Sequence, residues 1–262
     1  MKCKLKLESG EAELDKVRAA HAAGKPAVGA WATIGNGVSA ELMGRAGLDF
    51  VALDGQHGGI DWHNMIDTLR AVELGGTQTL VRVPWCTADH IMRTLDLGAG
   101  GVIVPMVSTP EQAEIAAQSC RYPPHGNRSF GRVRSYYTAD GETIEPLCFV
   151  MIETAEAMDN LDAIAATPGV DGLFVGPVDL ALSLGHGLAL QMSEAILGCC
   201  RKVVEAAGRH GKIPGCAALG NDNARDLAAM GVRFLALGAD SGYIRAGAAA
   251  TVAFAKELQA DG

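Results

Sequence analysis

Eight short apolar runs, each followed by a stretch whose apolar residues recur at helical spacing, run from one end of this chain to the other. That alternation limits the fold more than any other feature. The runs fall at residues 27–33, 50–54, 77–83, 101–107, 147–153, 172–176, 212–217 and 234–238. Helical spacing appears in stretches such as 62–74, 88–97, 110–119, 155–165, 193–210 and 222–230, with 241–259 closing the chain. The runs are continuously apolar rather than alternating, which marks parallel strands covered on both faces. Strand–helix units repeated in this way close into an α/β structure, the parallel (β/α)8 TIM barrel. A chain of 262 residues has the length of one such barrel, so residues 1–262 are expected to form a single domain.

Helix-end signals agree with this division. Thr87 and Thr109 stand at N-cap positions and Pro110 in a first turn, while Gly75, Gly98, Gly211 and Gly231 stand where helices should stop. One irregular stretch, 121–145, contains YPPHGNR and is long for a barrel loop; it is read as a functional lid or a subunit contact.

Composition serves mainly to exclude. A net charge of −8 disfavours a nucleic-acid partner, whose phosphates ask for a basic face. No stretch approaches the roughly 18 apolar residues of a membrane span, and the basic start, MKCKLKLESG, lacks a signal-peptide core, so a cytoplasmic protein is expected. The seven cysteines, Cys3, Cys86, Cys120, Cys148, Cys199, Cys200 and Cys216, form no C-x-x-C pair and read as reduced thiols.

In a barrel of this kind the active site lies at the C-terminal ends of the strands. Few polar residues fall there. Glu153 ends LCFVMIE and Asp179 follows LFVGP, so neighbouring strands present two carboxylates at one rim. Hard oxygen ligands with open positions suit Mg2+, Mn2+ or Co2+; the competing reading makes each a first-turn acid beside a helix dipole. Asp54 and His57 lie three residues apart after the second run, the outline of an acid–base dyad or else an Asx-turn beside an exposed histidine. Arg82, ending TLVR, is either a fixed cation over the barrel mouth or one half of an ion pair, for which Asp96 is the candidate partner.

The turn Gly176-Pro177-Val178-Asp179 offers backbone N–H groups to a substrate carboxylate, and Gly238-Ala-Asp-Ser-Gly offers a weaker phosphate cradle. His63, His90, His125, His186 and His210 have no evident partner and read as solvated. No lysine falls at the C-terminal end of a run, Lys25 and Lys212 standing at the opposite, N-terminal side, which removes Schiff-base chemistry and leaves carbonyl chemistry to a metal, with no organic cofactor called for.

The segments VALDGQHGGID, LVRVPW, LDLGAGGVIVPMV, RYPPHGNRSFG, MIETAEAMDNLDAI and GVDGLFVGPVDLALSLG resemble the HpcH/HpaI aldolase family, in order, over residues 27–240. The resemblance implies a metal-dependent class II pyruvate aldolase acting on 4-hydroxy-2-oxoheptanedioate or 2-keto-3-deoxy sugar acids. By position it makes Glu153 and Asp179 the metal ligands, His57 the base with Asp54 its neighbour, Arg82 the enolate-stabilising cation and Asp96 an acid that tunes the histidine. It places pyruvate's carboxylate at Gly176, Pro177, Val178 and Asp179, and Trp31 near the aldehyde pocket.

It also implies a homohexamer, a trimer of dimers with the C-terminal helix exchanged between subunits, whose other partners are a small 2-oxo acid and an aldehyde. Gln56, Met151, Val178 and the small stretch 215–219 depart from the family's usual residues and bear on acceptor preference. An oxaloacetate-type decarboxylase, a lyase acting on a CoA thioester and an inert keto-acid-binding barrel are the rival readings.

Overall fold

Every one of the eight runs forms a strand, and the strands pair in sequence order, all parallel, with the last hydrogen-bonded to the first. The structure is a computed structural model that describes residues 15–131, 133–134, 145–188 and 191–260. The strands are β1 Ala27–Ala32, β2 Phe50–Asp54, β3 Gln78–Arg82, β4 Gly101–Val104, β5 Leu147–Ile152, β6 Gly172–Val175, β7 Ile213–Ala218 and β8 Phe234–Ala239. The helices are α1 Lys16–Ala22, α2 Gly37–Gly44, α3 Met65–Leu74, α4 Ala88–Asp96, α5 Pro110–Cys120, α6 Ala155–Asp159, α7 Leu161–Ala166, α8 Pro177–Ser183, α9 Glu194–Arg209, α10 Asn221–Met230 and α11 Asp240–Ala260.

The period of two along each strand divides the core in two. Phe50 and Ala52, Leu147, Phe149 and Met151, Phe174, Phe234 and Ala236 point into the barrel, while Val51, Leu53, Val150, Ile152 and Leu173 point to the helices. Phe234 is the hub of the interior: Phe50 stacks on it at 4.0 Å, Phe149 at 4.3 Å, and Phe174 meets it edge-on at 5.8 Å. Four rings fit there only because small residues alternate with them. A Cβ on Gly172 would stand 2.2 Å from the Phe149 ring. Helix α1 closes the N-terminal end, burying Val17 against this cluster, with the Val17 N–H donating to Gln78 Oε1 at 3.2 Å.

Local chemistry accounts for the element ends that differ from expectation. The stretch 155–165 divides into α6 and α7 at Asn160, whose side-chain amide donates to the Ser108 carbonyl at 2.9 Å. The helix expected from 62 starts at Met65, because Asp61 and Asn64 bond the intervening turn: the Asp61 N–H donates to Asn64 Oδ1 at 2.9 Å and the His63 N–H to Asp61 Oδ1 at 2.8 Å. Thr109 builds a full capping box with Gln112.

The stretch 121–145, read as a lid or a subunit contact, is described only in part. Its described residues 121–131 and 133–134 follow the end of α5 on the N-terminal side of the barrel. There Arg121 donates to the Pro146 carbonyl at 2.8 Å and to Asp171 at 2.9 Å, and Arg128 to Asp96 at 2.9 Å. Residues 132 and 135–144 of this stretch lie outside those described.

Candidate active site at the carboxyl ends of the strands

The inward positions that continue the interior alternation upward are polar. After Phe50 and Ala52 comes Asp54, after Leu80 comes Arg82, and after Phe149 and Met151 comes Glu153. The parallel register sets Asp54 directly beside Arg82. Their side chains meet as a fork: Arg82 Nε donates to Asp54 Oδ1 at 2.9 Å and Nη2 to Oδ2 at 2.7 Å. Asp54 Oδ1 also accepts the backbone N–H groups of Gln56 and His57, both at 3.1 Å. Burial works to raise the Asp54 carboxyl, but the Arg82 guanidinium and the two N–H donors outweigh it and hold the group below the ordinary carboxylate range.

Two readings of these residues are thereby corrected. The acid that pairs with Arg82 is Asp54, not Asp96. The Asp54 carboxylate also holds the backbone of His57 rather than its ring; the strong guanidinium donors are on the neighbouring strand, in register, while the His57 side chain is exposed at the rim. Asp96, the last residue of α4, bonds Arg128 toward the other end of the barrel, and the structure does not bring it to His57. Of the histidines read as solvated, His210 has its Nε2 3.0 Å from Asp162 Oδ1 and His63 its Nδ1 3.5 Å from Asp61 Oδ1.

Glu153 is 2% exposed, and its Oε1 accepts the backbone N–H of Met106 at 2.7 Å. Met106 adopts φ +56°, a left-handed backbone rare for a non-glycine residue, and this turn after β4 aims the N–H at the carboxylate. Nothing in the sequence marked Met106, because the conformation comes from its tertiary surroundings. Gly176 lies against the other oxygen; a Cβ there would stand 2.3 Å from Glu153 Oε2. Burial, together with the negative charge of Asp179, pushes the Glu153 carboxyl up to about 7, against the opposing pull of the Met106 N–H and Arg82.

Asp179 sits in the first turn of α8, exposed, after Pro177 at the helix start. Among the described residues no group of three or more His, Cys, Asp and Glu side chains is arranged to hold a metal ion, so the site offers two carboxylates. They fit a divalent cation. Both are hard oxygen donors, and the charge of Asp179 makes ionisation of the buried Glu153 costlier, a condition that a cation relieves.

Trp31 stands in the inner barrel layer, its ring edge-on to Phe174 at 6.0 Å and under the Arg82 guanidinium at 4.7 Å. Met151 is buried in the same layer, with its Cε 3.1 Å from where a Cβ on Gly176 would stand, and so forms the floor beneath the site. The phosphate cradle suggested after β8 is filled from within. Asp240 accepts the Thr33 N–H at 2.9 Å, the Thr33 hydroxyl at 2.7 Å, the Ile34 N–H at 3.1 Å and the Ser241 N–H at 2.8 Å. A phosphate beside that carboxylate would meet like charge.

The HpcH/HpaI aldolase/citrate lyase family model matches residues 28–246. The chain belongs to that family. The chain is 38% identical over 240 residues to the 5-keto-4-deoxy-D-glucarate aldolase of Escherichia coli (strain K12), covering 88% of this chain and 93% of that protein. A solved HpcH/HpaI aldolase/citrate lyase family protein from Burkholderia cenocepacia J2315 superposes with a TM-score of 0.83 at 29% identity, covering 89% of this chain and 95% of the other. The HpcH/HpaI aldolase from Desulfitobacterium hafniense DCB-2 superposes with a TM-score of 0.82 at 26% identity, covering 92% and 96%. As a member of the family the chain is a carbon–carbon lyase of the aldolase kind.

Proposed function

We propose that the protein reversibly cleaves a 4-hydroxy-2-oxo acid into pyruvate, or a close 2-oxo acid, and an aldehyde, with a divalent metal ion held by Glu153 and Asp179. The observation that carries this reading is the pairing, at one rim, of a buried carboxylate made costly to ionise and a guanidinium already locked in place by Asp54. A sugar-acid substrate is supported by the E. coli relative, which is named for 5-keto-4-deoxy-D-glucarate.

When bound, Mg2+, Mn2+ or Co2+ supplies Lewis-acid polarisation of the substrate's keto group. The chain's own residues do the rest. His57, exposed at the rim, takes the proton of the 4-hydroxyl as the C3–C4 bond breaks and the aldehyde carbonyl forms. The bonding electrons pass into the C2–C3 bond, and Arg82 holds the enolate oxygen they charge. Protonation at C3 then yields the methyl group of pyruvate. Gly176 and Pro177 lead into α8, whose first N–H groups, those of Val178 and Asp179, are assigned to the substrate carboxylate on the strength of the family resemblance. Trp31 borders the acceptor side.

A homo-oligomer in which α11 crosses to a neighbouring subunit, a trimer of dimers in all, is supported by the exposure of that helix along almost its whole length. A cytoplasmic setting is supported by the described cysteines, all six of which are free thiols. Among the described residues no helix is long and apolar enough to cross a membrane.

The test is proton exchange. Metal-loaded protein is incubated with pyruvate in D2O and the methyl signal followed by NMR. Exchange that requires metal and falls by at least about 100-fold in His57→Ala and Arg82→Ala supports the reading; a methyl signal that persists under every metal sinks it.

A further inference from the structure

We infer that Trp31 is a positioning residue for Arg82, held in place by Asp240, and that it acts on the enolate half of the reaction before any aldehyde is present. The inference rests on the enolate reading above and adds residues that reading does not use.

Arg82 is gripped in two directions. Asp54 takes Nε and Nη2 in the guanidinium plane, and the Trp31 ring lies 4.7 Å beneath its face. Among the described residues Nη1 has no hydrogen bond, so it is the part of the cation left for a substrate oxygen. A fork and a face contact together remove both the in-plane and the rocking freedom of a long side chain, which is what preorganised stabilisation of a developing negative charge requires.

Trp31 is itself held. Its ring abuts Phe174 at 6.0 Å, and its strand end is fixed by an irregularity in the barrel seam. In the β1–β8 pairing Gly29 faces Ala236 but Trp31 faces Ala239, so β8 carries one extra residue between those pairs. Gly238, at φ +81°, falls within that bulge. Bulges re-aim side chains next to active sites. This one carries Asp240 to the backbone that follows Trp31, where its carboxylate, 3% exposed, takes both N–H groups of Thr33 and Ile34 and the Thr33 hydroxyl. A run of contacts thus leads from Asp240 through the end of β1 to Trp31 and on to Arg82. A residue that only bordered the aldehyde pocket would need no such anchoring at its strand end.

The deciding measurement is methyl-proton exchange of pyruvate alone, in D2O with Mg2+, at saturating pyruvate. Trp31→Leu is expected to slow exchange about 5- to 30-fold, the span of a partly desolvated cation–π contact, while Trp31→Phe, which keeps an aromatic face, stays within about 3-fold of wild type. Asp240→Asn, which puts an amide N–H against the Ile34 N–H, is expected to slow exchange in the same direction with KM for pyruvate little changed. Wild-type exchange rates in Trp31→Leu, with only aldehyde preference altered, would overturn the inference and leave the enolate reading standing.

Absence of exchange in the wild-type protein would instead overturn the enolate reading and the role assigned to Trp31 with it. The contact is read separately by Trp31 fluorescence in a Trp62→Phe, Trp85→Phe background. Arg82→Met should shift its emission and increase acrylamide quenching, and an unchanged spectrum would overturn the clamp itself. That readout, with Asp240→Asn, keeps the inference open to refutation if Trp31→Leu fails to fold.

Discussion

Two carboxyl groups on one barrel rim are driven in opposite directions by their neighbours. Asp54 is held low by Arg82 and two N–H donors against the effect of burial, whereas Glu153 is pushed up to about 7 by burial and by Asp179. In the metal-free protein the folded state therefore keeps a proton on Glu153 that the unfolded chain releases near the ordinary 4.5 of a glutamate. Stability is expected to fall as pH rises through the window from 4.5 to about 7, by on the order of 3 kcal/mol from this group. Asp54 has the opposite sign: its stabilisation is present above the unfolded carboxylate range and is lost as pH drops through the lowered value.

Urea unfolding of metal-free protein at pH 5 and pH 8 reads the first effect, and Glu153→Gln should abolish that pH slope while reducing kcat/KM at least about 1000-fold. Gly176→Ala puts a methyl group 2.3 Å from Glu153 Oε2. It is expected to weaken Mg2+ binding about 10-fold or more and to cost about 1–3 kcal/mol, as checked by calorimetric titration and denaturation. Asp54→Ala leaves Arg82, nearly buried, without its fork; about 3–5 kcal/mol of stability and most of the turnover should go with it.

At the scale of elements, β2, β3 and β5 each do two jobs, packing the interior with their lower inward residues and leading to a polar residue at the top, Asp54, Arg82 and Glu153. The interior depends on Phe234, which touches three other rings, and Phe234→Ala is expected to cost about 3–5 kcal/mol, read as a lower midpoint of urea unfolding. Strand positions were legible because a parallel strand buried on both faces has to be an unbroken apolar run, and β2 is found at the expected residues. Ends were less legible where a side chain from elsewhere intervened. β4 stops at Val104 rather than 107, because the chain turns at Pro105 and Met106 to deliver an N–H to Glu153, and that demand comes from β5, almost fifty residues later.

At the scale of the whole molecule, α11 extends for 21 residues, about 31 Å, with Asp240 as its one buried residue. Ile244, Val252, Phe254 and Leu258 are each more than half exposed along it. Sedimentation of the intact chain is expected to report a homo-oligomer, and removal of residues 243–262, which spares Asp240, should give a smaller species with the barrel's circular dichroism retained. An unchanged sedimentation coefficient, after allowance for mass, would argue against exchange of this helix.

The chain's linear order determined the barrel and the residue types at the C-terminal ends of its strands, Asp54, His57, Arg82, Glu153 and Asp179. Strand burial and strand-end polarity are periodic properties, readable one segment at a time. Only the tertiary structure decided which of those groups touch. Asp54 lies three residues from His57 in sequence, yet its carboxylate goes to Arg82, because parallel register places the stronger donor beside it on the next strand. The same holds for Asp96, carried to the far end of the barrel by its helix, and for Asp240, brought to Thr33 by a one-residue shift where the barrel closes. Contacts between side chains depend on register and closure, which no single segment of the chain contains.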